Sequence, residues 1–195
     1  MAVSRLGLAA RRAEPADIWE TIALEATRES AVWADALRDP SEREHVSVFS
    51  PLADDVFALG LETIYEGYLL HYGRPRLFEA PDRDTGVLLG DYLYAHGLVR
   101  IAELGRVAVI ADLAELLSLC AHVRAESAAS RPLPDGAVWA ATVVLLGDEE
   151  GRLERARSAL RERGDASELA AIAEEAGRER AERALALHGD RVALG

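Results

Sequence analysis

The stretch Leu61-Glu62-Thr63-Ile64-Tyr65-Glu66, followed by Gly73-Arg74-Pro75 and then by Val87-Leu88-Leu89-Gly90-Asp91-Tyr92-Leu93-Tyr94-Ala95, decides how the chain is read. Two apolar runs flank a link that holds Gly73, Pro75 and Pro81, so the pattern predicts two helices joined by a turn. The first run carries Glu62 and Glu66 four residues apart on one helical face, with Asp55 seven residues before Glu62 on the same side. Carboxylates so placed could hold a divalent ion, or could be solvated helix surface. The second run carries one carboxylate, Asp91, among neighbours that are almost all apolar. A buried carboxylate is costly unless hydrogen-bonded or paired, so Asp91 is expected either to be satisfied by a helix neighbour or to belong to a site.

Outward from this stretch the chain reads as helix after helix. A helix is expected from Pro15, with Ile18, Ile22, Ala26, Trp33 and Leu37 on its apolar face, until Asp39-Pro40 stops it. The next runs from about Pro51 to Tyr72, behind Ser50 as N-cap. A turn over Gly73–Thr85 leads to a third, Gly86 to Leu104, closed by Gly105 as a C′ residue. A fourth spans about Val107 to Ala128. After the loop Ser130-Arg131-Pro132-Leu133-Pro134-Asp135-Gly136, the apolar run Ala137 to Leu146 fits a short buried helix, with a strand as the lesser alternative. Two charged helices follow, Asp148 to Arg163 and Ala166 to His188, split by Gly164-Asp165.

Length and composition agree with one all-α domain. The 195 residues suffice for a single core, and half of them are hydrophobic. Within it, residues 1–50 read as an N-terminal arm and first helix, 51–147 as the central core, and 148–195 as charged closing helices.

A formal charge of −12 argues against nucleic acid and anionic membrane surfaces as partners. Every basic residue is Arg, which excludes a Schiff-base lysine, a Walker-type phosphate loop and a kinase-type site. The lone Cys120 reads as a buried structural thiol. No apolar run reaches membrane-spanning length, and Met1 to Ala10 lack the order of a signal peptide, so a cytoplasmic location is expected. His71, His96, His122 and His188 show no ligand spacing and read as ordinary helix residues.

Gly73-Arg74-Pro75 followed by Leu88-Leu89-Gly90-Asp91-Tyr92-Leu93 resembles the middle of the trans-polyprenyl diphosphate synthases, members of the isoprenoid synthase superfamily. The family has an Asp-Asp-x-x-Asp motif, an Arg-Arg-Gly-x-Pro turn and a helix opening Leu-x-Gly-Asp-Tyr-Leu. In the same register Glu62-Thr63-Ile64-Tyr65-Glu66 stands where the Asp-rich motif would be, and His71-Tyr72 where the two arginines would be. The resemblance covers mainly residues 51–126. The family's upstream phosphate-binding element and second Asp-rich motif have no counterpart here.

The resemblance therefore implies an antiparallel helical bundle like a truncated isoprenoid synthase core, and a non-catalytic protein with no catalytic residue. Such a protein would be a small or regulatory subunit of a heteromeric prenyltransferase in isoprenoid biosynthesis, with a full-length prenyl synthase as partner. Deleted helices would leave an apolar face that self-association could also cover, and a prenyl chain is a further candidate ligand. Arg74 and Asp91 are the candidate substrate-binding residues, and Glu62 and Glu66 the candidate metal ligands. No cofactor is expected; magnesium enters only if the chain is instead a weak Mg-dependent prenyl diphosphate synthase or hydrolase. A third possibility is a helical prenyl- or lipid-binding protein without chemistry.

Overall fold

In the computed structural model, residues 15–126, 133–148 and 150–192 are described, with side chains from Ile18 onward. The arm expected over residues 1–13, the end of the fourth helix at Ala128 and the start of the loop at Ser130 lie outside them. The described residues form helices α1 (Pro15–Glu29), α2 (Ala31–Asp35), α3 (Ala58–Tyr72), α4 (Arg83–Glu103), α5 (Val107–Glu126), α6 (Asp135–Val144), α7 (Arg152–Arg163), α8 (Ser167–Ala173) and α9 (Arg178–Val192). Among them the only strand-like pairing is an isolated antiparallel bridge between Leu37 and Phe78. The fold is all-α, as the composition implies, and the stretch after Gly136 is helix rather than strand.

Three expected helices are broken by local chemistry. Ser30 takes an extended conformation and its hydroxyl accepts from the Val32 N–H at 3.1 Å, so one helix becomes α1 and α2. Before α3 the chain makes two 3-10 turns, Ser50–Leu52 and Asp55–Phe57, and the regular helix begins only at Ala58. In the tail, Gly177 at φ 104° separates α8 from α9. Conversely α4 starts earlier than expected, because the Asp82 carboxylate caps the Thr85 N–H at 2.7 Å, and Gly105 at φ 70° ends it as predicted.

α3 is the central element: every residue from Gly60 to Leu69 is buried. It packs antiparallel on α4 along a glycine seam. A methyl group on Gly67 would come 2.7 Å from the Gly90 carbonyl oxygen, and one on Gly97 would come 2.9 Å from that of Gly60. Only glycine permits this backbone approach.

The main core gathers Tyr65, Tyr68, Leu113, Leu116, Cys120, Trp139 and Leu169 from α3, α5, α6 and α8, with Phe49 from the segment before Ser50–Leu52. A second cluster, Trp19, Ile22, Ala26, Leu77, Phe78, Leu89 and Leu93, seats the α1–α2 arm on α4 and on the link after α3. That link is held in an extended pairing: the Arg38 N–H donates to the Leu77 carbonyl at 2.9 Å, and the Glu79 N–H to the Ala36 carbonyl at 2.7 Å.

Candidate functional site

Glu62 and Glu66 share a face of α3, as their spacing predicts, but it is an inward one: they are 1% and 0% exposed. The cation between them is Arg76, itself fully buried. Glu62 Oε2 pairs with Arg76 Nη1, and Glu66 Oε2 accepts from Arg76 Nε at 2.9 Å. The other oxygens are also engaged. Glu66 Oε1 accepts from the backbone N–H groups of Arg76 at 2.8 Å and Leu77 at 2.7 Å, and Glu62 Oε1 from that of Ser50 at 3.3 Å.

The guanidinium completes its set on the carbonyls of Val46 and Glu62. Its plane lies over the rings of Trp19 at 4.6 Å and Tyr65 at 5.0 Å. Burial alone would lower the Arg76 pKa, but the two carboxylates outweigh it and push it up. Arg76 offsets one of the two carboxylate charges, and the donors and acceptors of all three groups are nearly all used, which is what makes burying them together tolerable. The reading of these two residues as solvated surface is therefore corrected. So is the grouping with Asp55, which lies in a 3-10 turn and is exposed.

A second buried polar cluster joins α3, α5, α6 and α9. Tyr65 Oη lies 3.0 Å from His188 Nδ1. Tyr68 donates to Asp135 Oδ2, which Arg124 Nη2 also reaches, while Arg124 Nε donates to Tyr68 Oη at 2.8 Å. His188 Nε2 stands 3.4 Å from Asp135 Oδ1, and Phe49 stacks on Trp139 at 5.3 Å beside them. Burial pushes the Asp135 carboxyl up, but His188, Tyr68 and Arg124 outweigh it and hold it at about 2. Burial also raises the phenols of Tyr65 and Tyr68 and the thiol of Cys120. Neutral phenols and thiol around an ionised Asp135 make this cluster a tie between four helices.

The two remaining candidates lie elsewhere. Arg74 is exposed and pairs with Glu44, which also accepts from Arg191 at 2.8 Å. Burial pushes Glu44 up, but the two arginines outweigh it and keep its carboxyl below the usual range. Asp91 points outward, its side chain 64% exposed, with Oδ1 3.1 Å from His71 Nε2. Its apolar neighbours in sequence turn toward α3 while it does not, so the expectation of a buried carboxylate is corrected. Burial lowers the His71 pKa, and Asp91 raises it in part.

Sequence reasoning passed over Arg76, Arg124, Asp135 and His188, all of which hold the interior together. Asp135 looked like loop, and His188 like an ordinary helix residue. A signal was present for Arg76: it follows Pro75 directly before the buried pair Leu77-Phe78, a poor place for a solvated arginine. Among the described residues, no group of three or more His, Cys, Asp or Glu is placed to hold a metal ion, and no helix is long and apolar enough to cross a membrane. An open cleft of about 400 Å³ lies between Arg38, Leu70, Phe78 and Arg83, but Arg38 is already paired with Glu79. Comparison with protein-family models, curated proteins and solved structures finds no match for this chain.

Proposed function

We propose that the chain is a non-catalytic relative of the trans-polyprenyl diphosphate synthases that works by binding another protein, as a small subunit supporting a catalytic prenyltransferase. One observation carries this reading: the carboxylates standing in the register of the family's magnesium-holding motif are saturated by Arg76 inside the protein. An internal guanidinium supplies the positive charge that a magnesium ion would otherwise bring to the carboxylates. Glu62 and Glu66 then have little left to offer a metal, and Arg74 is committed to Glu44 rather than to a phosphate. The antiparallel α3–α4 pair, carrying the motif-like segments on facing helices, is consistent with the resemblance.

The test is calorimetric titration with geranylgeranyl diphosphate, with and without magnesium, followed by co-expression with a full-length trans-polyprenyl synthase. The reading expects no diphosphate binding, and a stable complex with an altered distribution of product chain lengths. Magnesium-dependent micromolar binding that disappears in the Glu62→Ala/Glu66→Ala variant would replace it with the enzyme reading.

A further inference from the structure

α4 meets the rest of the bundle along one side, with Tyr92, Tyr94, His96 and Leu98 half-buried at the edges of that contact. Gly86, Leu89, Gly90, Leu93, Gly97 and Ile101 are buried against it, while on the opposite side Leu88 is 61% and Val99 55% exposed. Projected down the helix, Asp84, Asp91, Ala95, Val99, Ala102 and Glu103 all fall within about 60° of Leu88. Every one of them is exposed. The α1–α2 arm lies alongside: Glu25 reaches His96 at 2.8 Å and pairs with Arg100, and Trp33 stands 6.1 Å from Tyr92. That arm exposes two more apolar side chains, Leu24 and Val32.

The charge on this ridge selects its occupant. Its ionisable groups are Asp84, Asp91 and Glu103, all anionic. Of the arginines of α4, Arg100 is turned onto Glu25 while still close enough to Glu103 to be attracted by it, and Arg83, the first helical residue, projects on the other side of the helix. A second copy laid antiparallel would bring Asp84 against the Glu103 end of its partner, carboxylate toward carboxylate. The chain's net charge of −12 opposes both that pairing and an anionic lipid surface.

We propose that the outer ridge of α4 is a docking surface for an amphipathic helix of another protein, one whose apolar stripe is flanked by Arg or Lys. The stripe covers Leu88, Ala95 and Val99, and the flanking cations meet Asp84, Asp91 and Glu103. The 21-residue α4 offers a track about 30 Å long. This inference rests on the functional reading only in its premise that the chain acts by binding a protein; a prenyl synthase need not be the partner.

The probe is a labelled 21-residue synthetic helix with a Leu/Ala stripe flanked by arginines. Its control has the same stripe flanked by glutamates. Anisotropy titrations against the full chain are run at low and high salt, with sedimentation to report self-association. The arginine helix should bind at least tenfold more tightly than the glutamate helix, with an affinity that falls as salt rises. Leu88→Asp/Val99→Asp should abolish binding, and Asp84→Asn/Asp91→Asn/Glu103→Gln should weaken it at least tenfold. Both variants should keep the native circular dichroism, because the changed side chains are exposed.

Glu154→Gln/Glu168→Gln/Glu182→Gln, which alters carboxylates on other helices, should bind like the native chain. Equal affinity for the two helices, or equal loss in this control variant, would overturn the proposal in favour of unspecific attraction. A dimer dissolved by Leu88→Asp would overturn it in favour of a second copy. Failure of the synthase co-expression alongside selective binding of the arginine helix would remove the prenyltransferase reading and leave this one standing.

Discussion

Glu66 holds Arg76 at both ends of the residue: Oε2 accepts from the guanidinium Nε at 2.9 Å, and Oε1 accepts from the backbone N–H of the same arginine at 2.8 Å. The link after α3 is thereby locked to the middle of the helix it leaves. Removing the arginine strands two buried carboxylates, and removing a carboxylate strands part of the guanidinium.

Arg76→Met should therefore destabilise the fold by about 3–5 kcal/mol, the range for breaking a buried pair from one side. Arg76→Lys should recover only part of it, because one ammonium cannot replace a fork shared between two carboxylates. Urea unfolding followed by circular dichroism measures both. With Arg76 in place, millimolar magnesium should leave the unfolding midpoint of the native protein unmoved.

Glycine at the α3–α4 seam should be irreplaceable. Gly67→Ala places a methyl group 2.7 Å from the Gly90 carbonyl, so the helices must part, at a cost of about 1–3 kcal/mol. Gly189 in α9 has nothing within 4 Å of an added Cβ, and Gly189→Ala should instead stabilise by about 0.5–1 kcal/mol through helix propensity. Opposite shifts in thermal midpoint for the two variants are the expected result.

Asp135 sets an acid limit. Its carboxyl sits at about 2 in the folded chain against an ordinary 3.8, so the folded state favours the ionised form. That contribution, about 2 kcal/mol, is fully present above pH 4–5 and is lost as pH falls through the interval down to about 2. Acid unfolding of the native protein and of Asp135→Asn should show a stability difference that is level near neutrality and shrinks in this window.

Tyr65→Phe should cost about 1–3 kcal/mol, since it leaves His188 Nδ1 buried with its partner removed. Tyr92→Phe, at a half-exposed phenol, should be close to neutral. Paired chemical denaturation curves distinguish them.

Helical periodicity depends on residues only a few positions apart, and so the all-α class, α4, α5, α6 and α7, and the glycine that ends α4 are legible in the sequence. The pairing of Glu62 with Glu66 on one face was legible for the same reason. The breaks at Ser30 and Gly177 were not, because a hydroxyl that caps its own backbone and a glycine at positive φ interrupt runs whose apolar pattern continues past them.

The sequence by itself determined which segments are helical, the absence of lysine chemistry and the excess negative charge. What the carboxylates face was decided only by tertiary structure. Glu62 and Glu66 point inward because Arg76, ten residues beyond Glu66, folds back beneath Trp19, while Asp91 points outward because the glycine seam rotates α4 so that Gly90 and Leu93 meet α3. Asp135 and His188, 53 positions apart, meet for a related reason: α9 docks beside α6 and brings its one buried imidazole to the carboxylate. A helical pattern specifies a face, but the charge or ring that will lie against it comes from whichever distant segment the packing of the whole chain brings there.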